Sequence, residues 1–174
     1  MAFDRRDQAT TNFEVYEDKV NFLGIASVIL PNLNFLIAQM SGSGIGGNVN
    51  AVIDGMVDAM QMTLNWRNLT NESATLVAPD LHNITLLADQ QVEDPINRKM
   101  EHRAHKHVFV AKPKTMTGGT IAPASTGDAS VEYEVRYWAH YIDGVRQVEI
   151  DPLNMICYIN GTDYLAVVRT NTGK

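Results

Sequence analysis

Val131-Glu132-Tyr133-Glu134-Val135-Arg136-Tyr137 alternates apolar and charged side chains without a break. Period two puts the apolar residues on one face and Glu132, Glu134 and Arg136 on the other, the pattern of a strand half in a core and half in water. Tyr141 continues the apolar row and His140 the wet one. Asp143-Gly144 follows, a two-residue hairpin signal because both central positions of such a turn take positive φ. The chain then returns as a strand over 145–151. A further strand over 154–160 ends in a second turn at Asn160-Gly161, and 163–169 reads equally as strand or as a last helical turn.

The same period recurs upstream. Over 60–67, Met60, Met62, Leu64 and Trp66 face one way and Gln61, Thr63, Asn65 and Arg67 the other. Residues 12–17 alternate around Phe13 and Val15, and a turn at Glu17-Asp18 leads into a β-branched apolar run over 20–30. Pro31 ends that run and 33–40 resumes it. Strands are also expected over 84–92 and 107–111. One short helix is expected over 71–78, with Asn71 as N-cap, Glu72 in the first turn and Pro79 as the stop. Gly, Thr, Ser, Pro and Ala dominate 115–128, which reads as a long exposed loop. The expected fold is mainly β, a β-sandwich or partly open β-barrel with one short α-helix, in a single domain spanning 1–174.

At 174 residues, 45% hydrophobic and 20% charged, the chain can bury one sizeable core. The longest nearly uncharged apolar stretch, 22–30, is about half of what a membrane-spanning helix needs. Met1-Ala2-Phe3 runs straight into Asp4, Arg5, Arg6 and Asp7, unlike a secretory leader, so no stable membrane insertion and a cytoplasmic origin are expected. The single cysteine, Cys157, precludes an intrachain disulfide and a cysteine zinc site. A net charge of -6 argues against general nucleic-acid affinity. The average hides an asymmetry: 98–114 holds six of the 14 Lys and Arg against one acid, Glu101. Such a stretch is either a solvated loop or a patch that meets the acidic surface of another copy.

Gly42, Gly44 and Gly47 match the G-x-G-x-x-G dinucleotide fingerprint after a plausible strand, and Val49, Val52, Ile53, Val57 and Met60 share a helical spacing. Gly55 would sit inside that helix at a cost of about 1 kcal/mol, and no acid stands where a ribose hydroxyl would need it. A flexible glycine-rich connection is the better reading. His102, His105 and His107 cannot gather as three ligands on either a strand or a helix, and Lys99, Arg103 and Lys106 between them oppose a cation. No G-x-S-x-G elbow is present, and Glu132 and Glu134 share a face simply because strands alternate. No catalytic, cofactor or metal residues are expected. The alternative is a small β-rich ligand-binding or enzyme domain using the glycine-rich loop.

Several ordered motifs also resemble one family. They are Gly24-Ile25-Ala26 leading to Leu30-Pro31-Asn32-Leu33, Ser41-Gly42-Ser43-Gly44-Ile45-Gly46-Gly47, Met62-Thr63-Leu64-Asn65-Trp66-Arg67 and Leu76-Val77-Ala78-Pro79. Tyr141-Ile142-Asp143-Gly144, Glu149-Ile150-Asp151-Pro152-Leu153-Asn154 and Asn160-Gly161-Thr162-Asp163-Tyr164-Leu165-Ala166 complete the set. Together, over 12–169, they resemble the major tail tube proteins of contractile-tailed bacteriophages and phage-tail-like bacteriocins. The departures are the His-containing basic segment and the 117–128 loop.

The resemblance implies a structural protein assembled in the host bacterial cytoplasm. Six copies would form a ring, with an inner sheet from each joining an oligomeric barrel, and rings would stack into a hollow tube in the virion tail or tailocin particle. Sheath, baseplate and terminator proteins would be its partners, and DNA would transit without specific binding. Closing sheets of several subunits into one barrel removes exposed edges, and heterologous stacking extends without closing. Interface candidates are Gly42, Gly44, Ile45, Gly46, Gly47 and Val49 on an inter-subunit arm or loop over 41–55, together with Lys99, Arg103 and Lys106. Lumen candidates are Gln61, Thr63 and Asn65, or Glu132, Glu134 and Arg136; the sequence leaves open which row lines the channel.

Overall fold

Apolar rows on strands are buried only where a sheet meets a second layer or folds over itself. A computed structural model describes residues 5–18, 20–21 and 24–174. The leader reading at 1–4, and Phe22 and Leu23 of the strand expected over 20–30, lie outside the described residues. In chain order the elements are β1 (Arg6–Glu17), β2 (Val20–Asn21), β3 (Ile25–Ile29), β4 (Phe35–Met40), β5 (Val49–Val57), β6 (Met60–Trp66) and α1 (Asn71–Val77). Then come β7 (His82–Asp94), β8 (Lys99–Thr117), β9 (Ala129–Ile142), β10 (Val145–Asp151), β11 (Ile156–Ile159), β12 (Thr162–Asp163) and α2 (Ala166–Asn171). Ten strands form one antiparallel sheet in the order β12-β11-β10-β9-β8-β7-β1-β2, with β6 on β9 and β3 on β6; β4 and β5 pair separately.

The bend lies in β9. Val135 pairs with Ala111 of β8 but Tyr137 pairs with Val110, so Arg136 is an extra residue, a β-bulge. On one flank β9 pairs with β6 up to Val135 and with β10 from Trp138 onward. The first half of β9 therefore belongs to a β3-β6-β9-β8 layer and the second half to the longer sheet. A slip of one residue also reverses the faces. Val131, Tyr133 and Val135 are buried before the bulge, and Trp138 is buried after it. The alternation read from sequence, with Tyr137 and Tyr141 inside and His140 in water, therefore stops at the bulge: His140 turns inward.

Both layers feed one core. Met60, Met62, Leu64 and Trp66 from β6 join Val15, Ile84, Leu86, Phe109, Ile150 and Cys157 from the longer sheet. Tyr133 crosses it, donating its hydroxyl to the Leu76 carbonyl at 2.9 Å and tying α1 to β9. The N-cap of α1 is Thr70 rather than Asn71. Ser73 N–H donates to Thr70 Oγ1 and Thr70 N–H donates to Ser73 Oγ, so the reciprocal box fixes the start one residue earlier. The ambiguous 163–169 stretch resolves as β12 and α2. There Arg169 donates to Asp163 Oδ2 and to the Met155 carbonyl, both at 2.6 Å.

Thr115, Met116 and Thr117 belong to β8, and the connection to β9 is 118–128. Thr120 N–H donates to the Gly127 carbonyl and Gly127 N–H to the Arg67 carbonyl, both at 2.7 Å, which clasps the loop to the end of β6. Gly119 makes the clasp: its φ is +73°, and a Cβ there would lie 1.9 Å from Gly127 O.

Candidate functional site

Residues 41–55, expected as an arm or loop, are the tip and returning strand of a hairpin. Phe35–Met40 pairs with Val49–Val57, and the glycines sit between them. The turn is strand to strand, so no helix N-terminus follows the glycines to receive a pyrophosphate. Gly42 and Gly44 have φ of +144° and +87°. Val52 pairs with Ile37, and these side chains are 57% and 60% exposed. Met40, Ile45, Val49 and Met56 are also exposed apolar side chains on this hairpin. The hairpin is anchored at its base, where Gly55, at φ +75°, leaves room for Leu165; a Cβ would come within 2.8 Å of Leu165 Cγ.

The two polar rows posed as alternatives share one face. Gln61 pairs with Glu134 and Thr63 with Glu132 across the β6–β9 ladder. Gln61 Nε2 donates to Glu134 Oε1 at 2.8 Å, and Asn65 Nδ2 to Ser27 Oγ at 2.9 Å. Lys114 spans Glu134 at 2.8 Å and Glu132 at 3.3 Å. That hydrogen bond holds Glu134 below the usual carboxylate range and raises Lys114. Arg136, at the bulge, is exposed beyond the end of β6.

The basic segment is strand rather than loop: all of it beyond Arg98 belongs to β8. Lys99 and Lys106 are exposed and Arg103 half-buried. Arg103 lies 3.6 Å from Asp7 and 3.8 Å from Asp143, while Lys106 stands over the Tyr141 ring at 6.0 Å. Odd and even positions of a strand face opposite ways, so Arg103 and Lys106 do not form one patch. Among the described residues no helix is long and apolar enough to cross a membrane.

The histidines regroup. His102 leaves the set expected from sequence to pair with Asp89 at 2.7 Å. His140, turned inward by the bulge, joins His105 and His107 instead. The His107 ring lies flat on His140, with centroids 4.1 Å apart and 2° between planes. Burial, reinforced by the neighbouring imidazoles His140 and His105, pushes His107 down to about 3, and burial also lowers His140. The signal for this grouping lay in a register slip, which alternation alone does not reveal.

Comparison with solved structures identifies the fold. The chain is similar to the PVC sheath/tube terminator of an extracellular contractile injection system in its extended state, with a TM-score of 0.53 and 10% identity over 75% of this chain and 94% of that one. It is also similar to a chain of the PVC sheath-tube complex in the extended state, with a TM-score of 0.50 and 12% identity over 74% and 87% of the two chains. No curated protein matches by sequence. The architecture, an antiparallel sheet bent around one core without closing as a barrel, is the tail tube fold. A family model described as phage tail tube protein FII matches residues 7–173, and the chain belongs to that family. Its role is that of a structural component of a tail tube.

Proposed function

We propose that this chain builds the inner tube of a contractile tail as stacked hexameric rings, a non-enzymatic conduit through which DNA or tail contents pass during envelope penetration. The observation that carries the reading is the β4–β5 hairpin, a two-stranded sheet apart from the main one with Ile37, Met40, Val49 and Val52 exposed. An isolated two-stranded ribbon is at best marginal in water, and a neighbouring copy supplies the third surface it needs. The inter-subunit arm of 41–55 is this hairpin, with Gly42, Gly44, Ile45, Gly46, Gly47 and Val49 at its tip.

The polar face of β3, β6 and β9 lines the lumen, with Gln61, Thr63, Asn65, Glu132, Glu134 and Arg136. On that face Glu132 and Glu134 both engage Lys114, and Lys112 stands opposite Glu134 in the ladder, so its cations are interleaved with carboxylates and DNA slides through without specific binding. Sheath, baseplate and terminator proteins complete the particle, which is assembled in the bacterial cytoplasm. Lys99, Arg103 and Lys106 serve contacts between subunits or rings. Negative-stain microscopy of the purified chain tests the reading: rings or tubes are expected, and monodisperse monomers at high concentration refute it. Deleting residues 42–47 should abolish tubes and leave a folded β-rich protein; normal tubes from that deletion would remove the arm from the assembly.

A further inference from the structure

Three imidazoles converge on the inner face of the bent sheet just beyond the Arg136 bulge. His105 and His107 lie two apart on β8, and His140 stands opposite His107 on β9. One ring nitrogen of each lies within 4.8 Å of the other two. His105 Nε2 is 2.8 Å from Gln90 Oε1. A carbonyl oxygen only accepts, so the ring hydrogen is on Nε2 and Nδ1 keeps a bare lone pair. That Nδ1 accepts a hydrogen bond from His140 Nε2–H at 3.1 Å, so an ion seated between them requires that hydrogen to leave or to move to His140 Nδ1. Metal–imidazole bonds of about 2.0–2.1 Å put two ligands of a tetrahedral ion about 3.3 Å apart, close to the separation already present. A ligating histidine characteristically passes its other ring hydrogen to a carbonyl or carboxylate, the part Gln90 plays here.

We propose that His105, His107 and His140 form a binding site for a divalent transition-metal ion of the zinc, cobalt or nickel type, with its remaining coordination position open to the adjoining cavity. That cavity, about 360 Å³, lies between β1, β3 and β7 and takes His105 and His107 into its wall. Its other polar side chains are Thr10, Ser27 and Gln90, none of them a carboxylate. A set of imidazoles without carboxylates suits zinc, nickel or copper rather than calcium or magnesium. The nearest charged side chain along the same row of β8, Arg103, is engaged by Asp7 and Asp143. His107 is the ligand that must move. Trp138 Nε1–H donates to its Nδ1 at 3.3 Å, and its ring is stacked on His140. The ion would then pin β8 to β9 directly after the bend.

The test is titration of the purified, EDTA-stripped full chain with CoCl2, followed by the visible absorption of nitrogen-bound Co²⁺ and by quenching of tryptophan fluorescence, with MgCl2 as the blank. One Co²⁺ per chain is expected, with ZnCl2 displacing it. His105→Gln and His140→Gln should each weaken binding about tenfold or more, whereas His102→Gln, outside the cluster, should leave it unchanged. His107 is buried and is left intact, and the far-ultraviolet circular dichroism of each variant confirms its fold. If one of the two cluster variants fails to fold, the other decides. Binding that survives in a folded His105→Gln or His140→Gln chain overturns the proposal, as does binding lost in His102→Gln or absence of any Co²⁺ absorption.

Discussion

Replacing Ile37 and Val52 together with Ser strips the apolar pair from the middle of the β4–β5 hairpin. They are direct partners across the ladder and 60% and 57% exposed, so the isolated chain gains little from them. Full burial of a Val or Ile side chain is worth about 1.5–3 kcal/mol. With about three-fifths of each surface left for a neighbour to cover, the pair contributes roughly 2–3.5 kcal/mol per contact. That corresponds to a rise of about 30- to 400-fold in the critical concentration for tube growth. Pelleting of tubes across a concentration series measures it, and thermal melting of the unassembled chain checks that the fold is intact. Gln39→Ser with Asn50→Ser, the next-but-one paired positions on the same hairpin, controls for lost strand propensity. A critical concentration within about twofold of the parent, for a variant that melts normally, would show that this hairpin meets no neighbour through its apolar pair.

Leu64→Ala, at a fully buried site, should cost about 2–5 kcal/mol in urea denaturation of the unassembled chain. The hydrogen bond from Arg169, aided by backbone N–H groups, holds Asp163 below its ordinary value. A depressed carboxylate stabilises the fold above its unfolded pKa and loses that contribution as pH falls through the folded one. Arg169→Gln should therefore be destabilised most at pH 5–7, and the gap should narrow below about pH 4, as melting at several pH values would record. Lys99→Ser, Arg103→Ser and Lys106→Ser combined should slow the earliest assembly seen by light scattering, as should 1 M salt, where the Debye length is about 3 Å. A wild-type rate throughout would make the run a solvated strand face.

What the sequence discloses is local. The rows Met60, Met62, Leu64, Trp66 and Val131, Tyr133, Val135 are visible because each needs only its own strand, and they are the core. Asp143-Gly144 is visible for the same reason, the two residues having φ of 48° and 79°. Hidden were the facts that need a partner strand. Nothing in Arg136 itself marks a bulge, yet the slip opposite Val110 and Ala111 moves His140 from one face to the other. The glycine run suggested an arm, but pairing of 35–40 with 49–57 depends on which strand lies alongside. Lys99, Arg103 and Lys106 read as one basic patch because sequence proximity says nothing of the opposite directions taken by odd and even positions. Asn71 is as good a capping type as Thr70, and only the reciprocal bonding with Ser73 places the N-cap one residue before the position the sequence suggests.

The bent β8–β9 pair also imposes an order of events on a chain folding from scratch. β7, β8, β9 and β10 are consecutive and pair with their sequence neighbours. Their loops are short to close, apart from 118–128, and such contacts form early. β1 reaches β7 from Arg6 to Glu93, and β6 reaches β9 from Met60 to Val135, so both ladders wait on long loop closures. Until β6 docks, the apolar row of Val131, Tyr133 and Val135 has no neighbouring row on that flank of β9. The four-strand meander is thus the expected nucleus, and the β3–β6 layer, whose ladder to β9 waits on a long loop closure, is expected to take shape last. A chain built this way completes the face proposed to line the lumen only after the meander is in place, so that face exists only on a finished subunit.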